Sequence, residues 1–267
     1  MANGKVQTRV LDRVAWLRMT APPANNYSYE MMQDLDAAIL AVRFDPEIDV
    51  LVLTGEGDRF FSSGADIDTL SKVTPEYKYA FCLHANETLL RLEHTPKLSL
   101  AAINGHCVGG GLEVALACDL RLGRLPAAGG KAFRYGAPEV KLGVLPGTGG
   151  TQRLARLLGP AQAMQFMVEG TLLETEAARE FGLLHRTFEF DGFEAAIQEY
   201  ARRFTCPNSA SLAVGHIKRA VQSGTDLPLE SGLSLERELQ QRLFASRDAG
   251  EGLAAFRDKR PPQFEGR

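Results

Sequence analysis

The chain of 267 residues and 29.1 kDa is long enough for one large domain or for a core with a small appendage. Its hydrophobic fraction of 45% and charged fraction of 24% are those of an ordinary soluble globular protein, and no apolar run approaches the ~20 residues that a membrane span needs. The formal net charge of −3 excludes a general basic surface for nucleic acid or anionic lipid, so a phosphate-bearing ligand would need a local group of cations.

The N-terminal segment and the cysteines bear on the cellular compartment. Residues 1–19 lack the apolar stretch of a signal peptide and the Arg/Ser-rich pattern of a transit peptide, so we expect a cytoplasmic protein. The cysteines show no CxxC spacing, which disfavours disulfides and a cysteine metal site. The histidines show neither HExxH nor an i, i+4 pair, so no metal is expected.

Strands and helices alternate in the first half of the chain. "RVAWLRM" and "DVLVLTG" predict strands, and the intervening "YSYEMMQDLDAAILAVRFD" predicts a helix with one apolar face. A second helix is predicted to begin with Thr74 as N-cap and Pro75 at the first helical position, and "KLSLAAING" predicts the next strand. This order indicates an α/β layering with mostly parallel connections.

From about residue 148 onward the pattern changes to successive short helices, with only "HRTFEF" looking extended. The last third is therefore predicted to be a helical layer. Its final two helices are amphipathic, and their apolar faces would cover the core of this subunit or of a neighbour.

The common catalytic and nucleotide-binding motifs are missing from the sequence. It contains no GxSxG, no GxxxxGK[ST], and no GxGxxG between a strand and a helix. A nucleophile-elbow hydrolase and a nucleotide-binding loop are therefore disfavoured.

The stretch "NGHCVGGGLEVALACDL" places three glycines before an acidic residue in an apolar helix. Each helical glycine costs about 1 kcal/mol relative to alanine, so close packing, a turn, or a ligand approaching a bare amide should compensate. Glu113 lies one helical turn after Gly110, and its carboxylate would lie near the free backbone amide of Gly110. From the residues alone, Glu113 is either a charge favoured by the helix dipole or a partly desolvated acid–base group.

Two other segments carry weaker signals. "RFFSSGADIDTL" offers backbone amides from Ser62 to Ala65, and it is either an ordinary turn into a helix or part of a site. "RYGAPEVKLGVLPGTGGTQRL" presents Glu139 after a proline, before the glycine-rich start of the next helix. Neither segment alone indicates a function.

Taken together and in order, "FSSGADI", "AINGHCVGGGLEVALACDL", "GAPEVKLGVLPGTGGTQRL" and "EGLAAFRDKRPPQFEG" resemble the crotonase, or enoyl-CoA hydratase/isomerase, superfamily over nearly the whole chain. The resemblance implies an α/β fold in which a spiral of ββα repeats forms two roughly perpendicular sheets over residues 1–200. A helical region over residues 201–267 would then build homotrimers or homohexamers. The implied ligand is an acyl-CoA thioester, so coenzyme A is part of the substrate and no separate cofactor is expected.

The resemblance also implies where this ligand binds. Its thioester carbonyl would lie between the backbone amides of Ala65 and Gly110, which form an oxyanion hole. The run Ala65, Asp66, Ile67 and Asp68 would line the CoA and pantetheine side.

Two glutamates match the acid–base positions of the family. Members that hydrate enoyl-CoA carry glutamate at both positions, which correspond here to Glu113 and Glu139. Relatives with other chemistries typically replace at least one, so the intact pair favours a hydratase. We expect the pair to hold and activate the water added at Cβ, with Glu139 delivering the proton at Cα. Their closeness should raise the apparent pKa values of the pair.

The sequence departs from the family pattern in two places. Asp68 stands where the family often has a lysine near CoA, so the phosphates would find their cations among Arg59, Lys72, Arg257, Lys259 and Arg260. The segment between the two glutamates is longer than in common hydratases, and it either lengthens a surface turn or shapes the acyl pocket.

Three alternatives to a general enoyl-CoA hydratase stay open. The C-terminal tail is similar to that of 3-methylglutaconyl-CoA hydratases, some of which bind AU-rich RNA, although the net charge argues against RNA binding as the main role. A double-bond isomerase and a non-catalytic acyl-CoA-binding protein of the same fold are the other two.

Overall fold

The computed structural model describes residues 3–267 as two β-sheets surrounded by helices. The strands are β1 (Val6–Leu11), β2 (Val14–Met19), β3 (Val50–Gly55), β4 (Phe60–Ser62), β5 (Leu98–Ile103), β6 (His106–Val108), β7 (Leu120–Arg124), β8 (Tyr135–Gly136), β9 (Leu172–Leu173) and β10 (Arg186–Phe188). The helices are α1 (Tyr29–Phe44), α2 (Ile67–Leu70), α3 (Pro75–Glu93), α4 (Gly110–Leu116), α5 (Gly150–Leu158), α6 (Pro160–Val168), α7 (Thr175–Glu180), α8 (Phe193–Arg202), α9 (Ser211–Gly224), α10 (Leu229–Phe244) and α11 (Arg247–Asp258).

The larger sheet has the strand order β1-β2-β3-β5-β7-β10. Its pairs are parallel except β1 with β2, which form an antiparallel hairpin at the edge. The predicted strands β2, β3, β5 and β10 are confirmed, and so is the α/β order of the first half. Strand β1 was not predicted, and it lies mostly exposed.

Both faces of the larger sheet are buried. Successive side chains of a strand point to opposite faces, so Leu17 packs in one core with α1 and α3, while Trp16 packs in a second core with α8. Thr74 caps α3 as predicted, because its side chain accepts a hydrogen bond from the backbone N–H of Tyr77 and Pro75 occupies the first turn.

The smaller sheet has the order β4-β6-β8-β9, and β4, β6 and β8 are parallel neighbours. The carboxyl ends of parallel neighbours lie at the same edge of a sheet. The segments after Ser62, Val108 and Gly136 therefore meet at one edge. Three of the blocks singled out in the sequence pass through this edge.

Helices dominate from residue 150 onward, as the sequence predicts. Large apolar side chains remain exposed on the last two of them, including Phe244 and Phe256. Assembly into trimers or hexamers through this region stays a prediction. Within residues 3–267, none of the helices combines the length and the apolar character needed to span a bilayer.

Candidate active site

The loop after β4 and the start of α4 touch through their backbones. Gly64 has a φ of +84°, and a Cβ on it would lie 2.7 Å from the amide nitrogen of Gly110. Both requirements select glycine at position 64, because other residues adopt this φ at a cost and would collide with the neighbouring backbone. The "SGAD" and "GGG" blocks, 45 or so residues apart in the chain, are thus joined at this contact.

The amides assigned to an oxyanion hole lie at this junction. Ala65 follows Gly64 directly, and Gly110 is the first residue of α4. Within residues 3–267, neither of these two amides donates a backbone hydrogen bond. Two neighbouring N–H groups without protein acceptors are what a developing oxyanion requires.

Tyr27 covers Gly110 from the side of α1. A Cβ on Gly110 would lie 2.0 Å from Cε1 of Tyr27 and 2.2 Å from its hydroxyl oxygen, so no other residue fits beneath this ring. Tyr27 is buried, and its backbone N–H donates to the carbonyl oxygen of Gly64 at 3.1 Å. Burial, and next the charge of Glu113, raise the pKa of the Tyr27 hydroxyl well above its usual range, so it stays protonated.

Glu113 is buried at 2% exposure and accepts three hydrogen bonds. The backbone N–H groups of Thr148 and Gly150 donate to its Oε1 at 2.8 and 2.7 Å, and the hydroxyl of Thr148 donates to its Oε2. The Tyr27 hydroxyl lies 3.3 Å from the same Thr148 hydroxyl. Three donors directed at one carboxyl group are the arrangement that suits a carboxylate acceptor.

Glu139 begins the 3-10 helix Glu139–Leu142, shortly after β8, which lies between β6 and β9 in the smaller sheet. Its Oε1 lies 3.1 Å from where a Cβ on Gly109 would be, and its buried Oε2 has no partner within the described residues. Burial, opposed by a hydrogen bond to a backbone amide and assisted by the charge of Glu113, raises the pKa of Glu139 to about 7. The sequence predicted a raised pKa from the closeness of two carboxyl groups, whereas burial is the larger cause.

The structure identifies the partners of one carboxylate. From the sequence, Glu113 is expected to lie near the free amide of Gly110 at the start of its own helix. In the structure its carboxylate accepts hydrogen bonds from the amides of Thr148 and Gly150, at the start of α5. Those donors lie 35 and 37 residues further along the chain, so the helical geometry of α4 alone did not indicate them.

The proposed CoA-side run lies at the rim of the site. Asp66 caps α2, because its Oδ1 accepts hydrogen bonds from the backbone N–H and the hydroxyl of Thr69. Ile67 and Asp68 are exposed on α2. Their role in binding CoA stays a prediction.

Some candidate cations for the CoA phosphates already have partners. Arg260 makes two hydrogen bonds to the carboxylate of Glu251, and Arg257 pairs with Asp258. Arg59 lies over the ring of Phe60, 5.2 Å from its centroid. The tail arginines are therefore engaged within their own subunit.

The long segment between the two glutamates divides into an exposed tip and an anchored end. Residues 128–131 are exposed, whereas Phe133 is buried beneath the guanidinium of Arg124. Arg134 donates its backbone N–H to Nδ1 of His106 on β6. The anchored end therefore places β8, and Glu139 after it, at the carboxyl edge of the smaller sheet.

Two residues of the site were missed in the sequence. Thr148 lies in the glycine-rich block that was interpreted only as a helix start, and Tyr27 begins the segment "YSYEMMQDLDAAILAVRFD", which was interpreted only as a helix. A signal for Thr148 was present, since a hydroxyl residue between glycines at a helix start offers a side-chain donor beside free amides.

We expect Thr148→Val to lower kcat about 10- to 100-fold with little change in KM. This variant keeps the backbone amide that binds Glu113 but removes the hydroxyl that donates to the same carboxyl group, and a hydrogen bond to a charged group contributes about 1.5 to 3 kcal/mol. Steady-state kinetics with an enoyl-CoA measures the effect. Thr148→Ser should restore most of the rate, and equal loss in both variants would show that the hydroxyl has no positioning role.

Comparison with known proteins identifies the family of this chain. The family model described as enoyl-CoA hydratase/isomerase matches residues 10–267. The chain is 36% identical to the (E)-benzylidenesuccinyl-CoA hydratase of Thauera aromatica, with 98% of this chain and 99% of that protein covered. It is 31% identical to the crotonyl-CoA hydratase of Syntrophomonas wolfei, with 95% of each chain covered.

The fold agrees as well. The crystal structure of an enoyl-CoA hydratase from Geobacillus kaustophilus HTA426 matches with a TM-score of 0.93 and 42% sequence identity, covering 98% of this chain and 97% of that one. An enoyl-CoA hydratase structure from Bacillus anthracis matches with a TM-score of 0.89 at 28% identity, covering 98% and 100%. The chain therefore belongs to the enoyl-CoA hydratase/isomerase family and has the crotonase fold.

Proposed function

We propose that this protein is an enoyl-CoA hydratase, which adds water across the 2,3 double bond of an enoyl-CoA thioester. One observation carries the proposal: two glutamates with different environments lie beside a pair of free backbone amides. Glu113 accepts three hydrogen bonds, whereas Glu139 has a buried oxygen without a partner among the described residues and a pKa raised to about 7. A pair whose environments differ in this way suits one base and one acid.

The proposed reaction assigns one task to each group. The carboxylate of Glu113 takes a proton from water as the water oxygen bonds to Cβ. The electron pair of the double bond moves toward the thioester, and the resulting enolate oxygen accepts hydrogen bonds from the amides of Ala65 and Gly110. Protonated Glu139 then donates its proton to Cα, which gives a 3-hydroxyacyl-CoA. The proton gained by Glu113 returns to Glu139 before the next turnover.

The relatives support hydration but name different acyl groups, so they leave the acyl group of this substrate open. The family also contains isomerases, which move the double bond without consuming water. Both glutamates are present here, and three hydrogen bonds hold the carboxyl group of Glu113, which favours hydration over double-bond movement.

We expect the hydration rate to fall as pH rises through about 7. Glu139 acts as an acid, so only its protonated form is active, and that form disappears above its pKa of about 7. The reverse reaction, dehydration, needs ionised Glu139 and should instead rise through the same pH. The pH profiles of kcat/KM in both directions measure this. A hydration rate that increases between about pH 6 and 8 would contradict the assignment of Glu139 as the acid.

The function itself is tested by supplying crotonyl-CoA and a 3-enoyl-CoA separately and identifying the products. A hydratase converts crotonyl-CoA to the 3-hydroxyacyl thioester. Conversion of the 3-enoyl-CoA to the 2-enoyl-CoA without water addition would favour the isomerase, and binding without turnover would favour the non-catalytic protein.

A further inference from the structure

Helix α3 presents one face to the candidate active site. Lys78, Phe81 and Cys82 share this face, since they lie three and four residues apart. Phe81 stacks on Tyr27 with ring centroids 5.6 Å apart, and Sγ of Cys82 lies 3.2 Å from where a Cβ on Gly147 would be. The face therefore borders both the ring that covers Gly110 and the loop that follows Glu139.

Lys78 is the cation on this face. It is partly buried, and its Nζ lies over the ring of Phe81, 5.3 Å from the centroid. The residues that the structure describes include a buried ion pair for Lys218 with Asp119, but they provide no salt bridge for Lys78. The charge of Lys78 acts on the site, because it lowers the pKa of Glu139, which the larger effect of burial raises.

A partly buried ammonium at the border of the candidate active site affects which substrates bind well. An alkyl chain lying against it would remove water from the charge and offer nothing in exchange, which costs free energy. A carboxylate on the same chain would replace the lost water with a charge-assisted hydrogen bond. Lys78 would thus select for one acyl group and against another.

We propose that Lys78 is a specificity-determining residue that selects enoyl-CoA substrates whose acyl group carries a second carboxylate, at the end distant from the thioester. The inference rests on the proposed hydratase function and names its substrate class. The second carboxylate pairs with the Lys78 ammonium above Phe81, while the double bond lies between Glu113 and Glu139.

Two thioesters that share CoA but differ in acyl charge provide the test. Crotonyl-CoA ends in a methyl group, and 2-pentenedioyl-CoA ends in a carboxylate. The wild-type protein should hydrate the second with a kcat/KM at least about 10-fold higher. Lys78→Gln should lower kcat/KM for 2-pentenedioyl-CoA by about 10- to 100-fold and leave that for crotonyl-CoA unchanged or raised.

Lys5→Gln is the matched control, since it removes the same charge from a residue outside the site whose backbone N–H bonds to Asp34. It should change neither rate. An unchanged rate with crotonyl-CoA also shows that Lys78→Gln is folded.

Each remaining outcome overturns the inference in a distinguishable way. Equal losses on both thioesters in Lys78→Gln would place Lys78 on the shared CoA moiety. A wild-type preference for crotonyl-CoA, or no effect of Lys78→Gln on either thioester, would overturn the selection while leaving the hydratase function intact. Hydration of neither thioester by the wild-type protein would overturn the inference, whereas hydration of no enoyl-CoA at all would contradict the proposed function as well.

Discussion

Glu113→Gln should lower kcat for hydration by about 100- to 10,000-fold, the range that a positioned general base contributes. The substitution removes the proton acceptor but keeps an oxygen that can accept from the amides of Thr148 and Gly150, which donate at 2.8 and 2.7 Å. We therefore expect the fold and KM to change little. Initial rates of enoyl-thioester loss, with circular dichroism as a check on folding, measure the effect.

The two glutamates should behave as one unit. Glu139→Gln alone should also cause a severe loss, and the double variant should lose little more than the worse single variant, because groups that act together in one step are not additive. Glu87→Gln, the same change at an exposed position of α3, is the control. Glu113→Gln with a rate within about threefold of wild type would remove Glu113 from the chemistry.

Gly64→Ala should lower kcat by about 100- to 1,000-fold, the usual cost of losing one oxyanion donor. A Cβ at this position would lie 2.7 Å from the amide nitrogen of Gly110 and 3.3 Å from its Cα, so the two backbones must separate. Their separation would misplace the Ala65 and Gly110 amides relative to each other. Turnover measured at saturating enoyl-CoA reports this loss.

Gly57→Ala separates backbone strain from this effect. Gly57 has a φ of +79°, close to the +84° of Gly64, but a Cβ on it would meet no atom of residues 3–267 within 4 Å. Both variants should lose about 1 to 2 kcal/mol of folding stability, because alanine is unfavourable at positive φ. Only Gly64→Ala should lose turnover, and equal rates in the two variants would show that the contact with Gly110 is not needed for catalysis.

Elements with a recognisable apolar pattern or a helix-start signal were predictable from the sequence. Helices α1 and α3 and the buried strand β3 have the expected apolar pattern, and Thr74 with Pro75 marks the start of α3. Strand β1 was missed because "VQTRVL" is an edge strand with mostly exposed side chains, so the core imposes no alternation on it.

The positions of the two glutamates were predictable only in part. The motif blocks indicated that Glu113 and Glu139 belong together. The structure places Oε1 of Glu139 beside Gly109, and the charge of Glu113 contributes to the raised pKa of Glu139. The donors that hold Glu113 come from a loop 35 residues away, and pairing across that separation depends on how α4 and α5 pack. The hydrophobic pattern within either helix does not indicate this pairing.

Lys78 shows a second limit of sequence reasoning. In the sequence it is one of several charges on an amphipathic helix, and such charges usually face solvent. Its position over Phe81, and the stacking of Phe81 on Tyr27, depend on tertiary contacts between α3 and the residues before α1. The same holds for the burial that raises the pKa of Glu139 to about 7.

The central claim is that Glu113 and Glu139 add water to an enoyl-CoA, and labelled water tests it most directly. The protein is incubated with crotonyl-CoA and with 2-pentenedioyl-CoA in ¹⁸O-water, and the acyl products are analysed by mass spectrometry. We predict ¹⁸O in the hydroxyl group on Cβ for at least one thioester, with incorporation slowed in Glu113→Gln and Glu139→Gln. Products without ¹⁸O, or incorporation at an equal rate in both variants, would contradict it.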